Sequence, residues 1–215
     1  MAGQPAELVP VSPGAPGALA GRLNEAIRGS RGEVVVLLGP RCEPAPGWLE
    51  ELVSQAARPE VGIVGGRILS PSRRVLHAGY LLCLDRDPPV VDAHRGLPAA
   101  APGHFGRANL VQNLTAVSAQ CLAMRREVFD ALGGFDERSY PGGLFDVDLC
   151  LRARDVGLRV LFTPYAVVVR AAGDVRLGSA DERERLRAAW RDRLPRDPYW
   201  HPAMDRASGD FRLRR

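Results

Sequence analysis

Lysine is absent from all 215 residues, so each of the 29 basic side chains is an arginine. Together with the many Ala, Gly and Pro, this composition matches GC-rich codon usage. The arginines alternate with acids, as in DERERLRAAWRDRL at 181–194, and form no single basic stripe. A net charge of +4 is therefore no nucleic-acid signature, and anionic phosphate is the more natural target for scattered guanidinium forks. No apolar run approaches the roughly 20 residues that span a bilayer. The first residues, MAGQPAELVPVSPGAPG, lack the basic region and apolar core of a secretory signal, so a cytoplasmic location is expected. No CxxC pair occurs. Cys42, Cys83, Cys121 and Cys150 are widely spaced and read as small buried apolar groups, with neither zinc nor a disulfide expected. Without secretion the sequon at Asn113 has no consequence.

What is present suits one globular domain over 1–215, with 46% apolar and 25% charged residues. An irregular segment at 1–18 holds one short strand near Glu7–Val11. Leu19, Leu23, Ala26 and Ile27 recur at helical spacing, and Gly29 stops that helix. The run Glu33–Leu38 reads as a strand covered on both faces, as in a parallel sheet. Pro46 opens a helix through WLEELVSQAA, in which Trp48 anchors the core, and Val61–Leu69 is the next strand. Helix, strand, helix, strand is the rhythm of an α/β sheet. Residues 71–112 are rich in Gly, Pro and His and read as long functional loops around one strand-like stretch, VLHAGYLLCL. After them come a strand over Thr115–Met124, a short helix over Arg126–Leu132 and an amphipathic helix over Leu144–Val156. Strands at Arg159–Phe162 and Tyr165–Val169 follow, and a Ser179/Glu182 capping box starts a helix to about Leu194, within a C-terminal helix and tail over 179–215.

Six segments, in order, resemble the family 2 glycosyltransferases of the GT-A fold, especially bacterial polysaccharide and O-antigen-type members. They are RLNEAIRGSRGEVVVLL, PGWLEELVSQAARPEVGIVGGRIL, VLHAG, VSAQCLAMRREVFDALGGFDE, FDVDLCLRARDVGLRVLFTPYA and RDPYWHPAMD. The resemblance implies a Rossmann-like mixed sheet with helices on both faces. It also implies inverting transfer from a nucleotide-sugar donor to a saccharide or lipid-linked acceptor, at or near the inner membrane. A carboxylate takes the acceptor hydroxyl's proton in such a transfer. The family's acidic helix start appears here as FDVDLCLR, so Asp146 aligns with the usual general base, while Phe145 replaces the acid before it. Asp148 either contacts substrate or is a helix N-terminal acid favoured by the macrodipole, a reading also open for Asp146.

The family's metal-binding D-x-D cluster, normally holding Mn²⁺ or Mg²⁺, is replaced by Gly39-Pro40-Arg41-Cys42. The histidine of TPYAxxxH is replaced by Arg170. Hard divalent ions want oxygen ligands, so no metal cofactor is expected. Either Arg41 and Arg170 stand in for the ion and clamp the diphosphate, or the site has decayed. Further substrate-binding candidates implied by the resemblance are Gln120 in Ser118-Ala119-Gln120, and Asp136 after the Gly133-Gly134 helix stop. Arg107 is a candidate for an acceptor phosphate, and His77 and His94 for the acceptor cleft, although lone histidines in strands or loops are usually structural. Tyr199 and Trp200 are expected to close the C-terminal segment over the domain. The nucleobase-gripping strands that family members place first are not recognisable, which makes the fold read as N-terminally truncated. A longer true product or a partner polypeptide would supply them and cover an otherwise open sheet edge. The competing function is a catalytically silent subunit that binds a partner enzyme or glycan.

Overall fold

The computed structural model describes residues 6–12, 18–171, 177–192, 196–205 and 209–213. Its frame is the strand Val61–Leu69 (β3), whose nine residues are all buried. Burial is complete because β3 is paired on both edges. One neighbour is the antiparallel strand Cys121–Arg125 (β8), and the other is the parallel strand Arg159–Arg170 (β9). Val34–Leu38 (β1) continues the sheet beyond β8, and Cys42–Pro44 (β2) lies beyond β9. Val75–His77 (β4) pairs with β3 and Gln112–Asn113 (β7) with β9, giving a mixed seven-stranded sheet.

Helices cover both faces. Leu52 and Ala56 of the helix Trp48–Ala56 (α2) pack with Val61, Val64, Ile68 and Val168 on one side. On the other side, Leu19–Gly29 (α1), Arg126–Ala131 (α3) and Phe145–Asp155 (α4) bury Ile27, Phe129, Leu149 and Cys150. Ala180–Trp190 (α5) adds Leu186 and Trp190 to that layer. A two-stranded ribbon, Tyr80–Leu82 (β5) with Val90–Asp92 (β6), folds out of the region between β4 and β7. Beneath it a third cluster includes Leu81, Leu114, Phe162, Trp200 and Phe211, so the C-terminal segment does close over the domain.

Several sequence expectations need correction. Residues 6–12 form no strand. β1 is an outer strand antiparallel to β8, and Val35 alone is buried, because no described strand pairs its other edge. The run at 115–124 does not become a strand until Cys121, since Ser118–Gln120 turn out of the sheet. The two strands expected at 159–169 are one, with its register against β3 shifted between Gly65 and Arg67. The 71–112 region carries β4–β7 and a short 3-10 turn at His104–Asn109. α4 is buried on nearly every side, acids included. α2 starts two residues after Pro46, and α5 ends at Trp190; residues 193 and 194, within the longer helix expected, lie outside the described ones. The capping box is present, with Ser179 and Glu182 bonded reciprocally.

Gly65-Gly66 is the local feature that positions the candidate site. A Cβ on Gly65 would lie 2.4 Å from the Val117 Cβ, and one on Gly66 would lie 2.6 Å from the Cys121 sulfur. Val117 and Cys121 are the two ends of the 118–120 turn, so the paired glycines let that turn seat against the sheet. Gly65→Ala should therefore overpack this contact and cost about 1–3 kcal/mol, lowering the urea midpoint. Gly29→Ala is the control: nothing lies within 4 Å of its Cβ position, and its midpoint should stay equal or rise.

Candidate functional site

The first turn of α4 delivers Asp146 to the 118–120 turn. Leu144, in a left-handed conformation at φ 62°, breaks the chain direction just before the helix. Asp146 Oδ2 accepts the Ala119 N–H at 2.8 Å, and Oδ1 accepts the Val147 N–H at 2.9 Å. The side chain is buried, and that burial pushes its carboxyl above the ordinary value although the two N–H donors pull the other way. A carboxylate has about four lone-pair directions, so these bonds leave acceptor capacity for a proton.

His77 fixes the same turn from β4. The Ser118 N–H donates to Nε2 at 3.1 Å, which places the ring proton on Nδ1. Nδ1 then donates to Asp92 Oδ1 at 2.7 Å, and Arg95 holds the other Asp92 oxygen at 3.0 Å. Both ring nitrogens are thus engaged, and His77 orients the turn through hydrogen bonds at each end of its ring. Tyr80, fully buried beside His77 and hydrogen-bonded to Ser118, has its phenol raised well above the usual range by burial and then by the Asp146 and Asp92 charges.

The arginines lie on the other side of the turn. Gln120 O accepts the Gly39 N–H at 2.9 Å, bringing Gln120 against the β1–β2 connection. A Cβ on Gly39 would lie 2.5 Å from Gln120 Oε1, so Gln120 fits only because residue 39 is glycine. Arg41, exposed at φ 62°, accepts the Ala171 N–H through its carbonyl oxygen at 3.1 Å. Arg170 is buried and opposes Cys42 in the β2–β9 register. Burial raises the Cys42 thiol, and the Arg170 charge acts against that rise. Arg170 also bears on the Tyr80 phenol, as Asp146 does, so the base candidate and the buried cation share one neighbourhood.

The structure therefore brings Asp146 and His77 onto the turn that carries Gln120, and sets Arg41 and Arg170 at the adjoining β2–β9 pairing. It places three other candidates elsewhere. Asp148 points into the helical layer, where Arg152 Nε donates at 2.8 Å and Trp190 Nε1 at 3.2 Å, so both oxygens serve packing of α4 and α5. Asp136 caps its own turn by accepting the Arg138 and Ser139 N–H groups. Burial works to raise its carboxyl, but those donors outweigh it and the net shift is downward. Arg107 lies over the Phe211 ring at 4.6 Å, within the C-terminal cluster. Asp92 and Tyr80 escaped sequence reasoning. Asp92 is 15 residues from His77 and meets it only because the β5–β6 ribbon folds back.

The expectation of no metal cofactor concerns residues that the resemblance aligns with the family's ligands. The positions that would supply carboxylate and imidazole hold Arg41, Cys42 and Arg170, and a guanidinium offers a cation no lone pair.

The mixed α/β sheet, layered by helices on both faces, is a GT-A-type glycosyltransferase fold. The profile of the glycosyltransferase like family 2 matches residues 5–192, and the chain belongs to that family. The O-antigen biosynthesis protein RfbC of Myxococcus xanthus is 38% identical over 200 residues, covering 89% of this chain and 15% of its own length. The protein y4gI of Sinorhizobium fredii strain NGR234 is 36% identical over 203 residues, covering 88% and 22%. The chain thus spans less than a quarter of these relatives. Among solved structures, GalNAc-T7 with UDP, GalNAc and Mn²⁺ superposes with a TM-score of 0.62 at 17% identity, over 81% of this chain and 35% of that one. That likeness concerns the fold.

Replacing His77 by Ala leaves the Ser118 N–H and the Asp92 carboxylate short of a partner. The expected cost is about 1–3 kcal/mol in denaturant unfolding. In hydrogen exchange the Ser118 and Ala119 amides should lose protection before the β3 amides do.

Proposed function

We propose that this chain contributes the acceptor side of an inverting glycosyltransferase that uses a nucleotide-sugar donor and a saccharide or lipid-linked acceptor. One observation carries the reading: a buried aspartate at the start of α4, held by the Ala119 N–H, on the segment matching the family's acidic helix start. In the proposed reaction the acceptor hydroxyl oxygen attacks the anomeric carbon, its proton passes to Asp146, and the nucleoside diphosphate departs with the bonding pair. Burial raises the proton affinity of Asp146, which improves a base that must still be ionised near neutral pH. Arg170 and Arg41 are suited to the growing charge on the departing diphosphate, because guanidinium forks match phosphate oxygens. Gln120, on the same turn, is the candidate partner for a sugar hydroxyl.

The rest of the machinery belongs to the same proposal. The unpaired edge of β1 offers a ladder of N–H and C=O groups to a further strand, from the same product or a partner polypeptide. No helix among the described residues is long and apolar enough to cross a membrane. The location that belongs to this reading is the cytoplasmic face of the inner membrane, where a lipid-linked acceptor is met. The second reading, a silent subunit binding an enzyme or glycan, is favoured by the loss of carboxylates from the 39–42 turn.

An assay of nucleoside diphosphate release over a panel of nucleotide sugars, with oligosaccharide and lipid-linked acceptors, separates the two readings. Active transfer should fall by about 10²–10⁴-fold in Asp146→Asn, with donor affinity little changed. The rate should rise with pH along an acidic limb placed above the ordinary aspartate value of about 3.9, since the ionised form is the base. Full activity in Asp146→Asn would remove it from the base role, and no transfer in any pairing would leave the silent-subunit reading.

A further inference from the structure

A second polar cluster lies under the C-terminal segment, around Phe211. This ring, 1% exposed, has His94 at 4.8 Å, Trp200 stacked at 5.3 Å and the Arg107 guanidinium carbon at 4.6 Å from its centroid. Arg67 reaches the same region from β3, donating Nη1 to the Ala99 carbonyl at 2.9 Å, and its charge is felt by His94. Arg67, His94 and Trp200 are 8%, 3% and 6% exposed. Each has a buried nitrogen without a hydrogen-bond partner among the described residues: Arg67 Nε, His94 Nε2 and Trp200 Nε1.

Positive charge outweighs negative here: Asp197 acts on Arg107, but its two oxygens already accept the Leu82 and Tyr199 N–H groups. Neither Arg67 nor Arg107 has a described carboxylate at ion-pair distance; Arg107 Nε donates to the neutral Gln112 Oε1 at 3.0 Å. Burial lowers both guanidiniums, and it holds His94 at about 4, so the imidazole is neutral. Asp210, the acid that acts on His94, is bonded to Arg212. A buried cation without an ion-pair partner, as Arg67 is among the described residues, and unpaired donors are costly to keep, and such groups concentrate where a ligand completes them. A tetrahedral oxyanion supplies what is lacking here, several acceptor oxygens and negative charge.

We propose that Arg67, Arg107, His94 and Trp200 form a phosphate-binding site separate from the Arg41/Arg170 turn. His94 is two residues from Asp92, the anchor of His77, which links this cluster by chain to the Asp146 turn. The phosphate is then one carried by the acceptor; that assignment of the carrier rests on the transferase reading above, whereas the site stands on its own geometry.

Titration calorimetry of the whole chain with inorganic phosphate, in an Arg170→Ala background that weakens the other cation pair, tests the site directly. One phosphate per chain should bind saturably. Arg67→Met should weaken it at least tenfold, and added phosphate should raise the melting midpoint of the background chain but not of Arg67→Met. Trp200→Phe keeps the ring stack and deletes one donor, so a few-fold loss is expected even if Arg67→Met fails to fold. Absence of saturable binding, or equal affinity in Arg67→Met and Trp200→Phe, overturns the site. Asp146→Asn should bind phosphate normally, which keeps this outcome independent of the base assignment. Displacement by glucose 1-phosphate points to a soluble phosphosugar, and Arg67-dependent sedimentation with phosphatidylglycerol vesicles points to a lipid headgroup.

Discussion

The hydrogen bond from the Ala119 amide to the Asp146 carboxylate ties the two halves of the domain at the point where chemistry is proposed. It joins the first turn of α4, which belongs to the helical layer, to a turn that leaves the sheet between Val117 and Cys121. Everything nearby converges on that turn. The glycines of β3 make room for its ends, His77 takes the adjacent Ser118 amide, and Gln120 leans on Gly39. A carboxylate buried this way is held in one orientation by backbone rather than by mobile side chains, a form of preorganisation that a general base requires.

Around this bond the acids divide by environment. Asp146 and Asp148 are two residues apart on one helix, yet they face different surroundings. Asp148 is spent on Arg152 and Trp190, locking α4 to α5 and, through Arg152, to the Leu132 and Gly134 carbonyls. Asp146 faces the turn with backbone donors only, and no cation lies within ion-pair distance among the described residues. The same helix thus supplies one structural and one chemically available carboxylate.

The sequence made the fold class, most helices and the order of motifs legible, because apolar periodicity and ordered motifs are local signals. β3 was readable from VGIVGGRIL alone, and the capping box at Ser179 from spacing alone. What stayed hidden depends on long-range pairing. β1 looks like a central strand by composition, but its neighbours make it an outer one. Asp92 carries no local signal and gains a role when the β5–β6 ribbon returns it to His77. Arg107 was legible as a phosphate candidate, but not its companions Arg67, His94 and Trp200, drawn from three distant segments. Alignment of Asp136 with the family's motif gave no hint that its Oδ1 caps its own turn.

In the proposed transferase, Arg41 and Arg170 take positions that the resemblance gives to metal ligands, on the donor side. Fixed guanidiniums provide positive charge that needs neither loading nor a ligand sphere, at the cost of the Lewis acidity that a divalent ion offers. The most direct measurement is nucleoside diphosphate affinity with and without EDTA, for the wild-type chain and for Arg170→Ala. The account predicts affinity unchanged by the chelator and reduced at least tenfold in Arg170→Ala. Binding that requires Mn²⁺ or Mg²⁺, and that Arg170→Ala leaves intact, would contradict it.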